Sequence, residues 1–154
     1  MNRDQANQVV QQLGKILGMD IALDASGTGV FVVDGKTLLS LGFDALMERL
    51  VLMSVLDDVD AGDTEMRAML RANFLWRGTG GATFAMPAEG DAVALLYPLP
   101  ADVTAIQLQD ILTDFLEMIE SWTQNFRQMA EARDDLSRNS RQLPQTSYDF
   151  VIRG

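Results

Sequence analysis

Cysteine and histidine are both absent from this sequence of 154 residues. Without cysteine there can be no disulfide, no thiolate nucleophile and no thiolate metal site. Without histidine, the serine–histidine triad, Cys/His zinc ligation and imidazole acid–base chemistry are closed as well. Positive charge is scarce: 12 Lys and Arg stand against 22 Asp and Glu, a net charge of −10. Nucleic acid and anionic membrane both need clustered cations, so neither is expected as a partner. No apolar run is long enough to cross a bilayer, and the opening Met1-Asn2-Arg3-Asp4-Gln5 leads into an amphipathic pattern rather than a leader. A cytoplasmic protein is expected.

What is present is apolar content near half, enough for one domain to build a core without staples. The acidity is unevenly placed. Met1 to Phe126 carries 7 basic and 18 acidic residues, whereas Arg127 onward carries 5 and 4. The chain is expected to divide into a folded, acidic domain over 1–130 and a polar, flexible tail over 131–154. Within that tail, Tyr148, Phe150, Val151 and Ile152 could form a short docking element.

The chain is organised around the stretch from Asp63 to Gly81. Asp63 reads as an N-cap, Glu65 sits where the helix dipole is positive, and Arg77 followed by Gly78 reads as the stop, so a helix is expected between them. It carries more apolar surface than one face needs. Met66, Met69, Leu70, Asn73 and Phe74 fall on one side, and Ala68, Ala72, Leu75 and Trp76 cover much of the other. Either the helix is buried on both sides of one core, or its second face meets another subunit.

Before it, a helix over about Asp4–Leu17 presents two adjoining apolar rows, Val9-Leu13-Ile16 and Val10-Leu13-Leu17, with Gly18 as its stop. A turn at Asp24–Gly27 and the β-branched run Val30–Val33 come next, and Asp34-Gly35 signals a hairpin into a strand over Lys36–Leu41. The segment Phe43–Leu56 fits a helical spacing and, from Arg49, an apolar strand equally well. After the central helix, Ala82–Met86 and Asp91–Tyr97 read as a second hairpin. Thr104 with Gln107 forms a capping box opening a last helix, whose stripe runs Leu108, Ile111, Leu112, Phe115, Ile119, Trp122, Phe126 and fails beyond about Ala132.

Candidate chemical sites do not survive their own geometry. Gly78-Thr79-Gly80-Gly81 comes after a helix instead of preceding one, so its amides cannot cradle a phosphate at a helix start. Counted as a calcium loop from Asp58, the acidic run puts Gly62 at a ligand position and Met69 where the bidentate Glu belongs. The pairs Asp110 with Asp114 and Glu117 with Glu120 lie opposite the apolar stripe, away from any pocket that could shift a pKa. No catalytic residue, metal or cofactor is expected. Nine methionines are mostly core filler, yet flexible thioethers also suit surfaces that accept varied apolar partners.

Taken in order, several strings resemble the class I type III secretion chaperones, the Tir-chaperone family. They are Leu23-Asp24-Ala25-Ser26-Gly27, Val33-Asp34-Gly35, Arg71-Ala72-Asn73-Phe74-Leu75, Arg77-Gly78-Thr79-Gly80-Gly81-Ala82-Thr83, and Leu112-Thr113-Asp114-Phe115-Leu116 running to Trp122. The resemblance covers about Val9 to Phe126. It implies an α+β fold of order α-β-β-β-α-β-β-α, with a twisted, mainly antiparallel sheet flanked by helices, and Arg49–Val55 as a strand. It implies a non-catalytic homodimer formed largely through the central helix, with Met66, Met69, Leu70, Asn73, Phe74 and Trp76 at the interface. It implies binding of the N-terminal region of a type III secreted effector in extended form, keeping it soluble and secretion-competent, with the secretion ATPase as a further partner. From the residues themselves, Val9, Val10, Leu13, Leu17, Val30, Phe31 and Val33 are the candidate effector site, since the first helix carries more apolar surface than one side of a small sheet covers. The competing reading is a regulatory adaptor of the same fold that binds a transcriptional regulator. An acid-dependent hydrolase would need carboxylates facing a pocket, and none can be placed.

Overall fold

The computed structural model describes residues 1–56, 59, 61–88 and 90–141, with side chains through 138. The expected element order is present: α1 (Arg3–Leu17), β1 (Thr28–Val33), β2 (Thr37–Asp44), β3 (Arg49–Leu56), α2 (Asp63–Asn73), β4 (Thr83–Ala85), β5 (Val93–Pro98) and α3 (Ala105–Arg141). Local chemistry sets the boundaries. Asn2 and Gln5 close a reciprocal capping box on α1, and Gly18 ends it in the left-handed region at φ 68°. Asp34 (φ 52°) and Gly35 (φ 66°) supply the two positive φ angles of a tight hairpin, closed by the Lys36 N–H donating to Val33 C=O at 3.1 Å. Thr104 and Gln107 exchange the capping bonds that open α3.

In the segment that periodicity left undecided, Phe43 and Asp44 end β2, a turn follows over 45–48, and Arg49–Leu56 is strand. All of Leu39–Asp44 pairs with Arg49–Ser54, and Val51–Leu56 pairs with Val93–Pro98, so β3 is the central strand of the five-stranded sheet, order β1-β2-β3-β5-β4, antiparallel throughout. Residues opposite each other share a face. Phe31, Leu39, Leu41, Leu50, Leu52, Leu56, Leu95 and Phe84 point to one side and are buried with Val10 and Leu13 of α1, Met69 and Ala72 of α2, and Leu108, Leu112, Phe115 and Phe126 of α3 in a single core. The helices therefore gather on one face of the sheet. Burying that face supplies the main stabilisation, at about 25 cal/mol for each Å² of apolar surface removed from water.

Three helix boundaries differ from the sequence expectation. The N-cap of α2 is Gly62, not Asp63, and no side chain caps it; Asp63 is the first helical residue and still lies at the positive end of the dipole. The helix also ends earlier, at Asn73 and not Arg77. Phe74–Trp76 form one 3-10 turn in which Leu75 and Trp76 take φ of 54° and 52°. Gly78 contributes by close approach: its N–H donates to Ala72 C=O at 3.3 Å, and a Cβ there would meet Ala72 Cα at 2.9 Å. The chain doubles back on the last turn, where Trp122 Nε1 donates to Gly78 C=O at 2.9 Å and stacks edge-on to Phe84. Lastly, α3 runs on through Arg141, beyond the residue where its stripe was expected to fail, with Leu136 continuing it. Tyr148, Phe150, Val151 and Ile152 lie outside the described residues.

Candidate partner-binding site

The expected effector residues separate into three environments. Val10, Leu13 and Phe31 belong to the core and cannot face a partner; this corrects their assignment, because alternation turns Phe31 inward and the α1 row containing Val10 is the one that meets the sheet. Val9, Leu17 and Val33 are half-buried at its margin. Val30 is 59% exposed, on the opposite side of the sheet from Phe31.

That opposite side is where the apolar surface lies. Val30, Val32, Leu38 and Val55 are exposed there, and the register puts Val32 directly across from Leu38. Among the described residues no helix covers them. Val32, Leu38 and Val55 were missed in the sequence, although a signal existed: β1 and β3 are apolar at consecutive positions, which is the pattern of strands whose two faces both need cover.

The two edges of the sheet differ in backbone chemistry. Strand β4 pairs with β5 on one side, and its outward groups at Phe84 are taken by one side chain. Phe84 N–H donates to Asn73 Oδ1 at 2.9 Å, and Asn73 Nδ2 donates to Phe84 C=O at 3.1 Å. The amide of Asn73 thus mimics a neighbouring strand and closes that edge. At β1 the corresponding plug is confined to the first residue. Asp24 N–H donates to Thr28 C=O at 2.9 Å, and Thr28 N–H donates to Asp24 Oδ1 at 3.0 Å. Asp24 also receives the Ser26 hydroxyl at 2.6 Å and the Ser26 N–H at 2.8 Å. The bond from the Ser26 hydroxyl, followed by that from Thr28, lowers the pKa of the Asp24 carboxyl from its ordinary value and holds the turn in its charged form. Gly27 and Val33 carbonyls point to β2, accepting from Phe43 and Lys36, so the alternation of an antiparallel pair turns the N–H and C=O of Val30 and Val32 outward. Beyond Thr28, no described residue pairs with the outer side of β1, an open edge beside an exposed apolar face.

The expected dimer residues divide likewise. Met69 is core and Asn73 is half-buried and occupied with Phe84, whereas Met66, Leu70, Phe74 and Trp76 face solvent, Leu70 and Phe74 by 70% and 72%. Of the two possibilities for α2, burial on both sides is not realised among the described residues. A shallow apolar depression of about 210 Å³ lies between Met66, Leu70, Asn73, Phe84 and Met86. Among the described residues no group of acidic side chains is placed to hold a metal ion, and no helix is long and apolar enough to cross a membrane.

The family model for the Tir chaperone protein (CesT) family matches residues 8–123, three quarters of the chain. The chain belongs to the Tir chaperone protein family. Among solved structures, this Tir-chaperone-family chain is similar to a chain of the ExsC–ExsE complex, at 21% identity, covering 82% of this chain and 97% of that one, with a TM-score of 0.71. It is also similar to a chain of the HopA1–SchA chaperone–effector complex, at 16% identity over 82% and 95%, TM-score 0.64. A third likeness is to a structure of the Yersinia pestis type III secretion chaperone SycH in complex with a stable fragment of YscM2, at 20% identity over 75% and 97%, TM-score 0.61. At such identities the likeness is one of fold. Comparison of the sequence with curated proteins finds no match. The family match runs from within α1 through the first half of α3 and so includes both sheet edges and the exposed face of α2.

Proposed function

We propose that this protein is a non-catalytic, cytoplasmic type III secretion chaperone. It binds the N-terminal region of a secreted effector in extended form and keeps it soluble and competent for secretion. The observation that carries this reading is the contrast between the two sheet edges. One is closed by Asn73, while the other offers the outward N–H and C=O of Val30 and Val32 next to Val32, Leu38 and Val55. An extended segment would add its backbone to β1 and lay alternate side chains on the uncovered face, the mode in which main-chain bonds give affinity and side-chain contacts give selectivity. Family membership supports the same reading, as does a neighbour of this fold described as a chaperone–effector complex.

The functional unit is a homodimer in which Met66, Leu70, Phe74 and Trp76 of α2 meet their counterparts, an apolar set that a monomer would leave in water. Delivery to the secretion ATPase belongs to the same proposal. The test is affinity purification of the tagged chain from its native cytoplasm, with the partner identified by mass spectrometry and its bound part mapped by proteolysis. Recovery of a secreted protein protected in its N-terminal region is expected. Recovery of a transcriptional regulator in its place would overturn the chaperone reading in favour of the adaptor.

A further inference from the structure

The buried row of α2 runs Glu65, Met69, Ala72, in steps of four and three residues, and the next position on it is 76. A helix continued by one turn would carry Trp76 into the core. The chain does the opposite. The helix stops at Asn73, and Leu75 and Trp76 take φ of 54° and 52°, left-handed backbone that is disfavoured for residues with bulky side chains. Phe74, Leu75 and Trp76 emerge 72%, 59% and 54% exposed, three large apolar side chains in succession in water.

The turn is braced from behind. Gly78 N–H donates to Ala72 C=O at 3.3 Å, an approach so close that a Cβ at 78 would stand 2.9 Å from both Cα and Cβ of Ala72. Trp122 Nε1 reaches across from α3 to the Gly78 carbonyl at 2.9 Å. Thr79 is fully buried and donates its N–H to Trp76 C=O at 3.3 Å and its hydroxyl to Ala82 C=O at 2.5 Å. Trp76 Nε1 donates to Thr83 Oγ1 at 3.1 Å, which ties the indole to the start of β4. Strained backbone persists only where its surroundings over-determine it, and it gathers at sites of contact and switching.

The occupant this knuckle fits is a second copy of the chain. It continues the exposed row Met66, Leu70, Phe74, and that row borders the depression of about 210 Å³ between Met66, Leu70, Phe84 and Met86. A knob and a hollow side by side suit a two-fold interface, in which each copy sets its knob into the hollow of the other. On the basis of the α2-to-α2 dimer proposed above, we infer that the left-handed turn at Leu75 and Trp76 is an association device. It withholds both side chains from the core of their own chain and sets Leu75 into the hollow of the second copy.

Leu75→Gly separates the backbone from the side chain, because glycine accepts φ of 54° without strain while removing the knob. Analytical ultracentrifugation over a dilution series should show the dimer Kd raised at least about a hundredfold over wild type, since the contact is lost twice across the two-fold. In a chain already made monomeric by Leu70→Asp with Phe74→Asp, the same substitution should leave the urea midpoint unchanged or raise it. A wild-type dimer whose Kd Leu75→Gly does not move would overturn the inference and leave the dimer standing. A lowered midpoint in the monomeric chain would overturn it as well, making the turn part of the stability of the single fold. A wild-type chain that stays monomeric at micromolar concentration would remove dimer and knuckle together.

Discussion

Asn73 lies on the face of α2 that the sequence assigns to contact with a second copy, yet its amide is committed within the chain, donating to and accepting from the backbone of Phe84. Replacing it leaves two backbone groups of an edge strand without their partners, a loss of about 1–3 kcal/mol. Asn73→Ala is therefore expected to lower the urea midpoint of unfolding without changing its slope, and an unchanged midpoint would show that water replaces the amide at no cost. The two rows of α1 make a second contrast between single residues. Val10 is fully buried, so Val10→Asp places a charge in the core at a cost of several kcal/mol, a large share of the stability of a domain this size. Far-UV circular dichroism of that variant should show an unfolded chain. Val9 is half-buried at the margin, and Val9→Asp should keep a native far-UV spectrum. Sequence spacing placed both residues on apolar rows but could not say which row meets the sheet, because that depends on how α1 is rotated against strands distant from it in the chain.

At the scale of elements, the parts written in local chemistry were readable: the capping box at Thr104, the Asp34-Gly35 hairpin, the stop at Gly18. The unreadable parts depended on distant pairing. Arg49–Leu56 has no local feature that excludes a helix; it is a strand because β2 and β5 pair with it on both sides. The end of α2 was misplaced for a similar reason, since the side chain of Asn73 leaves the helix for Phe84 and Gly78 folds back on Ala72. The candidate site was half legible. Val30 is exposed as a partner site requires, but Phe31, assigned with it, is buried, because a strand alternates its side chains. That difference can be tested on β1 as a unit. Val32→Pro removes an outward N–H that no other strand uses, a place where an edge strand tolerates proline, so the fold should persist while an added strand is refused. Thermal unfolding near that of the wild type together with loss of the co-purified partner is the expected result. Retained binding would move the partner away from this edge.

For the whole molecule, the exposed face of α2 and the open edge of β1 lie on different elements, so assembly and partner binding should be separable. Leu70→Asp with Phe74→Asp places charges where a second copy would bury them, and like charges meeting across a two-fold interface add repulsion. Light scattering after size exclusion should give twice the chain mass for the wild type and the single mass for this variant at micromolar concentration; a wild-type monomer would remove the dimer from the account. The central claim, that an extended partner is held as an added strand on β1, is tested most directly by hydrogen exchange at single-residue resolution on the chain alone and with its purified partner segment. The account predicts that the amides of Val30 and Val32 exchange rapidly in the free chain and become strongly protected in the complex, while that of Phe84, already bonded to Asn73, changes little. Amides of Val30 and Val32 that exchange equally fast in both states would contradict it.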